Sequence, residues 1–182
     1  MLSVIRLLRR FRRDIAGVSA VEFAIIAPVL ITMYFGTIQI TMALIADRKL
    51  SQTATTLGDL VTQDEYVTDT ELAQILGAAD AVMEPFPTNT LNLRISSVRM
   101  DENGDLFIDW SEVTGNYVAY SKGLEPTGIP DGLMTEGESI IWVEATYDYT
   151  APLGPSAKFG KFELQDNVYL RPRRSLFVQR ES

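Results

Sequence analysis

"RRFRRDIAGVSAVEFAIIAP", Arg9–Pro28, sets four arginines directly before one of the most apolar stretches of the chain and places an acid, Glu22, near its start. From Val18 to Ala46 no lysine, arginine or aspartate occurs, and Ala, Val, Ile, Leu, Met and Phe dominate. As a helix rising ~1.5 Å per residue, the run covers roughly 40 Å, more than the ~30 Å hydrocarbon core of a bilayer. Residues 18–46 therefore read as a transmembrane helix. Only Arg48 and Lys49 follow, offset by Asp47, so the positive charge lies on the N-terminal side. The positive-inside bias keeps that side cytoplasmic and puts everything after about residue 47 in the periplasm or its equivalent.

A cleaved secretory signal also starts basic and turns apolar, but its apolar region runs only ~7–15 residues and ends in a small-x-small site. Here the run is about twice that length, and Leu44-Ile45-Ala46 has a bulky residue where a small one is needed. Within the run, Pro28 lacks an amide donor and is expected to kink the helix or free a carbonyl one turn back. Glu22 is harder to place, because an acid at bilayer depth costs about 2.5–3.5 kcal/mol on the lenient insertion scale. One account keeps it hydrated near the cytoplasmic interface, paired with Arg12 or Arg13. That account leaves Gly17 and its spacing to Glu22 unexplained.

The totals narrow the function classes. A chain of 182 residues with no cysteine and no histidine has room for one ordinary domain plus an anchor. It offers no thiolate nucleophile, disulfide, imidazole base or Cys/His zinc site. The formal charge of −8 conceals an asymmetry. Before Gly17 stand Arg6, Arg9, Arg10, Arg12 and Arg13 against Asp14, so the rest of the chain carries about −12. An acidic body argues against nucleic-acid binding, which needs clustered cations on a folded face.

The string "GVSAVEF", Gly17–Phe23, behind a short arginine-rich leader, resembles the class III signal of type IV pilins and pseudopilins. The longer "GVSAVEFAIIAPVL" is similar to the TadE/TadG-like minor pseudopilins of the tight-adherence (Flp) pilus machinery. "YLRPR", Tyr169–Arg173, is similar to the arginine-proline ending many of these proteins show, and the chain's length suits the TadE-like side of the family. The resemblance implies a prepilin peptidase cutting after Gly17, with Val18 as the new N-terminus and Glu22 as its fifth residue. It also supplies a reason for the acid: a cut chain carries an α-amino group on Val18, and Glu22, four residues on, shares its helical face and can neutralise that amine or a neighbour's. Glycine before the cut leaves the backbone open to the peptidase. Phe23 continues the motif into the apolar helix that such proteins use for assembly.

Beyond the anchor, Leu50, Ala54, Leu57 and Val61 keep helical spacing, so the first helix is expected to continue as an amphipathic stalk. Thr68-Asp69-Thr70-Glu71 reads as a capping box opening a second helix with one apolar stripe: Leu72, Ile75, Leu76, Ala79, Val82 and Met83. Pro85 and Pro87 end it. From Leu91 the period changes to two. Leu91, Leu93 and Ile95 alternate with Asn92 and Arg94, and after Ser96-Ser97 the phase slips to Val98 and Met100, suggesting a bulge. Asn103-Gly104 marks a hairpin turn, with Leu106, Ile108 and Trp110 expected on one face of the return strand. A third strand, Ile140–Tyr149, puts Ile141, Val143, Ala145, Tyr147 and Tyr149 on one side. A fourth runs Phe162–Leu170, and the Gly/Pro-rich Ser121–Gly137 connection reads as a long surface loop.

The fold expected is α+β: a long N-terminal transmembrane and stalk helix, a second helix and a C-terminal antiparallel sheet of about four strands, pilin-like in layout. The chain divides into a cytoplasmic basic leader (1–17), a transmembrane helix (18–46), a periplasmic stalk and second helix (47–85) and a periplasmic β-rich domain with a basic tail (86–182). Asp101, Asn103 and Asp105 mimic a calcium loop, but Leu106 stands where glycine is required, even though Glu112 is in place; a solvated turn is the better reading. Asp109 and Glu112 rise no higher than ordinary acidic surface, and no nucleophile elbow or phosphate loop occurs. Trp142, Tyr147 and Tyr149 read as core and cross-strand ladder.

The expectation is thus a non-enzymatic, single-pass protein of the inner membrane, without cofactor, metal, nucleic acid or small-molecule substrate. Its partners would be a prepilin peptidase, other pilin-like subunits and inner-membrane pilus assembly proteins. The alternative is an uncleaved membrane-anchored periplasmic binding or sensing domain. Arg171, Arg173 and Arg174, with Arg180, form either a solvated tail or a docking strip for an acidic partner or anionic headgroups.

Overall fold

A computed structural model describes residues 17–150 and 161–181; most of the basic leader, residues 1–16, lies outside them. The chain falls into two compact units divided between Thr41 and Met42. Helix α1 spans Val18–Thr62. In the first unit its large apolar side chains, Val21, Phe23, Ile25, Ile26, Val29, Leu30, Met33 and Tyr34, are exposed at successive positions around the helix. A helix apolar on all sides needs a non-aqueous surround. Among the described residues it alone is long and apolar enough to cross a membrane. Helix α1 runs through Pro28 without a break. The hydroxyls of Thr32, Thr37 and Thr41 donate to the carbonyls of Pro28, Met33 and Thr37 at 2.7, 2.9 and 2.9 Å, so they bring no unpaired donor into lipid.

In the second unit the stalk stripe is a core element: Ala46, Leu50, Ala54, Leu57 and Val61 are essentially fully buried. Strand β1 (Tyr66–Thr68) leads into α2 (Asp69–Gly77), opened by the expected capping box. Thr68 N donates to Glu71 Oε2 at 2.8 Å, and Glu71 N donates to Thr68 Oγ1 at 3.2 Å. The second helix is not continuous as expected. It tightens at Ala78, whose N–H is shared between Gln74 O and Ile75 O, and restarts as α3 (Ala79–Met83). Gly77, a weak helix former, sits at the break. The stripe survives the interruption, with Leu72, Leu76, Ala79 and Met83 all buried.

Strands β2 (Leu91–Met100), β3 (Leu106–Thr114), β4 (Ser139–Thr150) and β5 (Lys161–Leu170) form an antiparallel sheet in the order β3-β2-β4-β5. The protein is α+β, as its periodicities predict. A further strand, β6 (Gln179–Glu181), pairs in parallel with β1. Three-residue strands carry no alternation to read, and this small sheet was not anticipated.

Both faces of the main sheet are covered, and the expected bulge falls between Ser97 and Val98, with its extra residue in β3. β2 keeps its alternation throughout: its odd positions join the helices in one core with Ile141, Val143, Ala145, Tyr147 and Tyr149, and Val98 joins a second cluster with Ile108, Met134, Ile140 and Trp142. The apparent phase slip is the handover from one face to the other. The extra residue lies in β3, where Ser97 pairs with Trp110 but Val98 pairs with Ile108, leaving Asp109 over. Trp110 therefore parts from Leu106 and Ile108. It turns to the helix side, where its Nε1 donates to Val178 O at 2.8 Å. The 121–137 connection is not merely a surface loop. Gly123 and Leu124 bond the backbone of Ile108 at 2.7 and 2.9 Å, and Met134 is buried in the second cluster.

Candidate functional site

Gly17 stands just before the first residue of α1, and nothing lies within 4 Å of the point where a side chain would begin. Open space around this residue and its lack of a Cβ leave the Gly17–Val18 peptide bond sterically uncovered among the described residues. Val18 is half exposed, Glu22 is exposed and Phe23 is 69 % exposed. Val18 and Glu22 are four residues apart in a continuous helix, so a charge on the Val18 nitrogen would lie about one turn, ~5–6 Å, from the Glu22 carboxylate's side of the helix.

Further along the same helix Ala20, Ala24, Pro28, Thr32 and Gly36 recur every fourth residue, and no atom approaches the position a Gly36 Cβ would take. This row of small side chains escaped the sequence reading, although i+4 spacing could have shown it. Small residues in such a row let another helix approach closely, the packing mode available where lipid removes the hydrophobic drive.

The C-terminal arginines are engaged within the chain. Arg171 Nη2 donates to Leu133 O at 2.8 Å and its Nη1 to Glu138 at 3.3 Å. Arg173 is hydrogen-bonded to Asp59 of α1, and its backbone N–H donates to Thr62 O at 3.0 Å. Arg174 faces Asp64 at 3.7 Å. Arg180 bridges Asp69 and Glu112, both at 2.7 Å. The side chains of Arg171, Arg173 and Arg174 nevertheless stay more than half exposed.

Sequence reasoning missed a largely enclosed charge, Arg94. Its side chain is 13 % exposed and forms a fork with Glu144, Nε to Oε2 at 2.5 Å and Nη2 to Oε1 at 2.6 Å. Nη2 also reaches the Tyr120 hydroxyl, and Nη1 donates to Val118 O at 3.1 Å. The guanidinium lies over the Tyr120 ring at 3.7 Å, and Tyr120 stacks on Trp142, which stacks on Tyr169. Burial alone would ease the proton off Arg94, but the Glu144 hydrogen bond and charge outweigh it and raise its pKa above the ordinary value. With four donors committed, Arg94 is a clasp tying the 117–120 segment to the sheet. Nothing in the sequence pairs Arg94 with Glu144, 50 residues on, except opposite charge at facing strand positions.

The residues weighed for calcium binding and for acid–base work are committed elsewhere. Asp101 accepts from the N–H groups of Asn103 and Asp105 at 2.8 and 2.9 Å, as a solvated turn would have it. Those amides hold its carboxyl below the usual carboxylate range. Asp109, the bulge residue, is bonded by Lys122 at 2.8 Å and faces Arg99 at 3.7 Å.

Residues 17–56 match the family model described as TadE-like protein. The match begins at Gly17 and takes in Glu22, Phe23 and the whole apolar run; the arginine-rich leader and Tyr169–Arg173, which also carry the resemblance, lie outside it. No curated protein and no solved structure matches the chain. Over residues 17–56 the chain is similar to TadE-like proteins, and its apolar helix is suited to a single-pass membrane anchor.

Proposed function

We propose that the protein is a minor pseudopilin of tight-adherence pilus assembly. A prepilin peptidase removes the leader after Gly17; the exposed apolar helix then associates with other pilin-like helices, and the folded domain meets assembly proteins outside the inner membrane. It acts by association rather than catalysis. The observation that carries this reading is the juxtaposition at the start of the family match: an uncovered Gly17, a helix beginning at Val18 and an acid one turn into it.

In this reading Glu22 is the partner of the new amine. In the uncut chain it is a carboxylate at the edge of lipid with no amine on its face; in the cut chain a charge pair replaces an isolated charge, which is the arrangement low dielectric tolerates. Arg171, Arg173 and Arg174 have exposed side chains and are the residues proposed to meet an acidic partner surface. The two steps separate by mutation. Gly17→Ala should retain the leader and abolish assembly, whereas Glu22→Ala should lose its leader normally and still fail to support pili. Normal piliation by Glu22→Ala would overturn the pairing role.

A further inference from the structure

Within the second unit a cleft of about 750 Å³ opens beside β3, with Trp110, Tyr120 and Phe177 as its aromatic lining. Three cations, Arg99, Lys122 and Arg180, line it against two acids, Asp69 and Asp109. It therefore holds one excess positive charge in a chain whose formal charge is −8. Arg180 is committed, since it bridges Asp69 and Glu112. Arg99 is not. Its guanidinium lies over the Phe177 ring, 4.0 Å from the centroid, and its ion-pair partner, Asp109 Oδ2, is 3.7 Å away, beyond hydrogen-bond range. Among the described residues none of its side-chain donors makes a hydrogen bond. Lys122 commits one donor to the other oxygen, Asp109 Oδ1, at 2.8 Å and is 77 % exposed. The platform under Arg99 is fixed in advance, because Trp110 Nε1 holds the carbonyl of Val178, the residue after Phe177.

The chemistry of the cleft indicates its occupant. One excess positive charge is balanced by a monoanion, whereas a phosphate would set two negative charges beside Asp69 and Asp109. A planar guanidinium fork with free donors matches the two oxygens of a carboxylate. The site is open, with Asp69 57 % exposed on one side and Lys122 on the other, so it would cover too little of a small metabolite to hold it. A protein side chain brings further contacts of its own, and large apolar residues stand ready for them. Leu176, next to Phe177, and Leu124, two residues beyond Lys122, are 66 % and 45 % exposed. Arginine and aromatic residues with apolar neighbours are the composition of a protein interface core.

We propose that this cleft receives an acidic side chain of a partner protein, an aspartate or glutamate flanked by apolar residues, its carboxylate accepting from Arg99 and Lys122. Asp109 then acts as an internal competitor that occupies both cations until the partner arrives. The site is separate from Arg171, Arg173 and Arg174, which pair with Glu138, Asp59 and Asp64.

The full chain, reconstituted in nanodiscs and immobilised, would be used to select from a phage-displayed library of random heptapeptides, and the affinity of selected peptides read by fluorescence anisotropy. The expected result is enrichment of Asp or Glu beside large apolar residues. Such a peptide should bind Arg99→Met and Lys122→Met about ten-fold more weakly, the loss of one charge-assisted hydrogen bond. It should bind Asp109→Asn more tightly and Arg173→Met equally well, and its twin with an amide in place of the acid should bind the unaltered protein about ten-fold more weakly. Lys122 is exposed enough that its variant reads binding rather than folding. A library that yields no binder, binders without an acid, or acidic binders indifferent to both Arg99→Met and Lys122→Met overturn the proposal. Displacement of the peptide by an equal concentration of inorganic phosphate would mark a general anion site and also overturn it. A dimer of the full chain that Lys122→Met dissociates in light scattering would make the occupant a second copy, with the same consequence.

Discussion

Arg173 and Asp59, 114 residues apart, are hydrogen-bonded to each other, and the Arg173 backbone N–H donates to Thr62 O at the end of α1. The tail that reads in sequence as a loose basic strip is thus fastened to the stalk helix. The side chains are 64 % and 33 % exposed, so the ion pair itself stabilises modestly. A double-mutant cycle on Arg173→Ala and Asp59→Ala should give a coupling of about 0.2–1 kcal/mol that shrinks at high salt. A coupling unchanged by salt would point to packing instead.

The Arg94–Glu144 pair should behave differently, because both side chains are nearly enclosed. Arg94→Ala strands the Glu144 carboxylate and should cost about 3–5 kcal/mol, read from chemical denaturation of the reconstituted chain. Arg94→Met with Glu144→Leu should recover most of that loss. A double variant no more stable than Arg94→Ala would show that the Tyr120–Trp142–Tyr169 stack depends on the charge itself.

Two glycines answer to different constraints. A Cβ on Gly58 would meet Leu170 Cδ1 and come within 2.9 Å of Val143 Cγ2, so this residue sets how closely α1 lies on β4 and β5. Gly58→Val should cost about 1–3 kcal/mol through overpacking, whereas Gly36→Val, with no neighbour, should leave stability unchanged. Gly115 has φ +75° and its Cβ would lie 2.6 Å from Leu91 O, an immovable backbone atom. Gly115→Ala should destabilise by more than the strain of that φ alone, ~1–2 kcal/mol.

Acid should loosen the domain through specific carboxylates. Thr68 holds Glu71 below the ordinary glutamate value through its backbone and side-chain hydrogen bonds; Thr135 does the same for Glu138, helped by Arg171, and the turn amides for Asp101. A carboxylate with a depressed folded pKa contributes stability that is present above its unfolded pKa and is lost as pH falls through the folded one. The melting temperature should therefore hold steady near neutrality and drop below pH ~4. Glu71→Gln should flatten that drop, and an unaltered pH profile would remove the capping box from the account.

Local signals carried the legible part of the fold. The Thr68–Glu71 box, the Leu50-to-Val61 stripe, the alternation from Ile141 to Tyr149 and the Asn103-Gly104 turn each need only a few neighbouring residues. Gly104 takes φ +88° as that turn requires. What escaped depends on pairing across the chain. The placing of the bulge's extra residue at Asp109 exists only in the register between β2 and β3, yet it moves Trp110 to the opposite face. The cleft joins Arg99 to Phe177, and the arginine clasp joins Arg94 to Glu144; no periodicity spans such separations. The site residues divide in the same way. Gly17, Val18, Glu22 and Phe23 form one contiguous motif, legible as a string, while the commitments of Arg171, Arg173 and Arg174 to Glu138, Asp59 and Asp64 appear only in three dimensions.

The central claim is that Glu22 has its partner only in a shortened chain. Intact-mass analysis of the protein extracted from membranes of cells that contain the peptidase tests it directly. The account predicts a species beginning at Val18, converted to a species beginning at Met1 by Gly17→Ala. A wild-type protein that retains Met1 in those cells would contradict it.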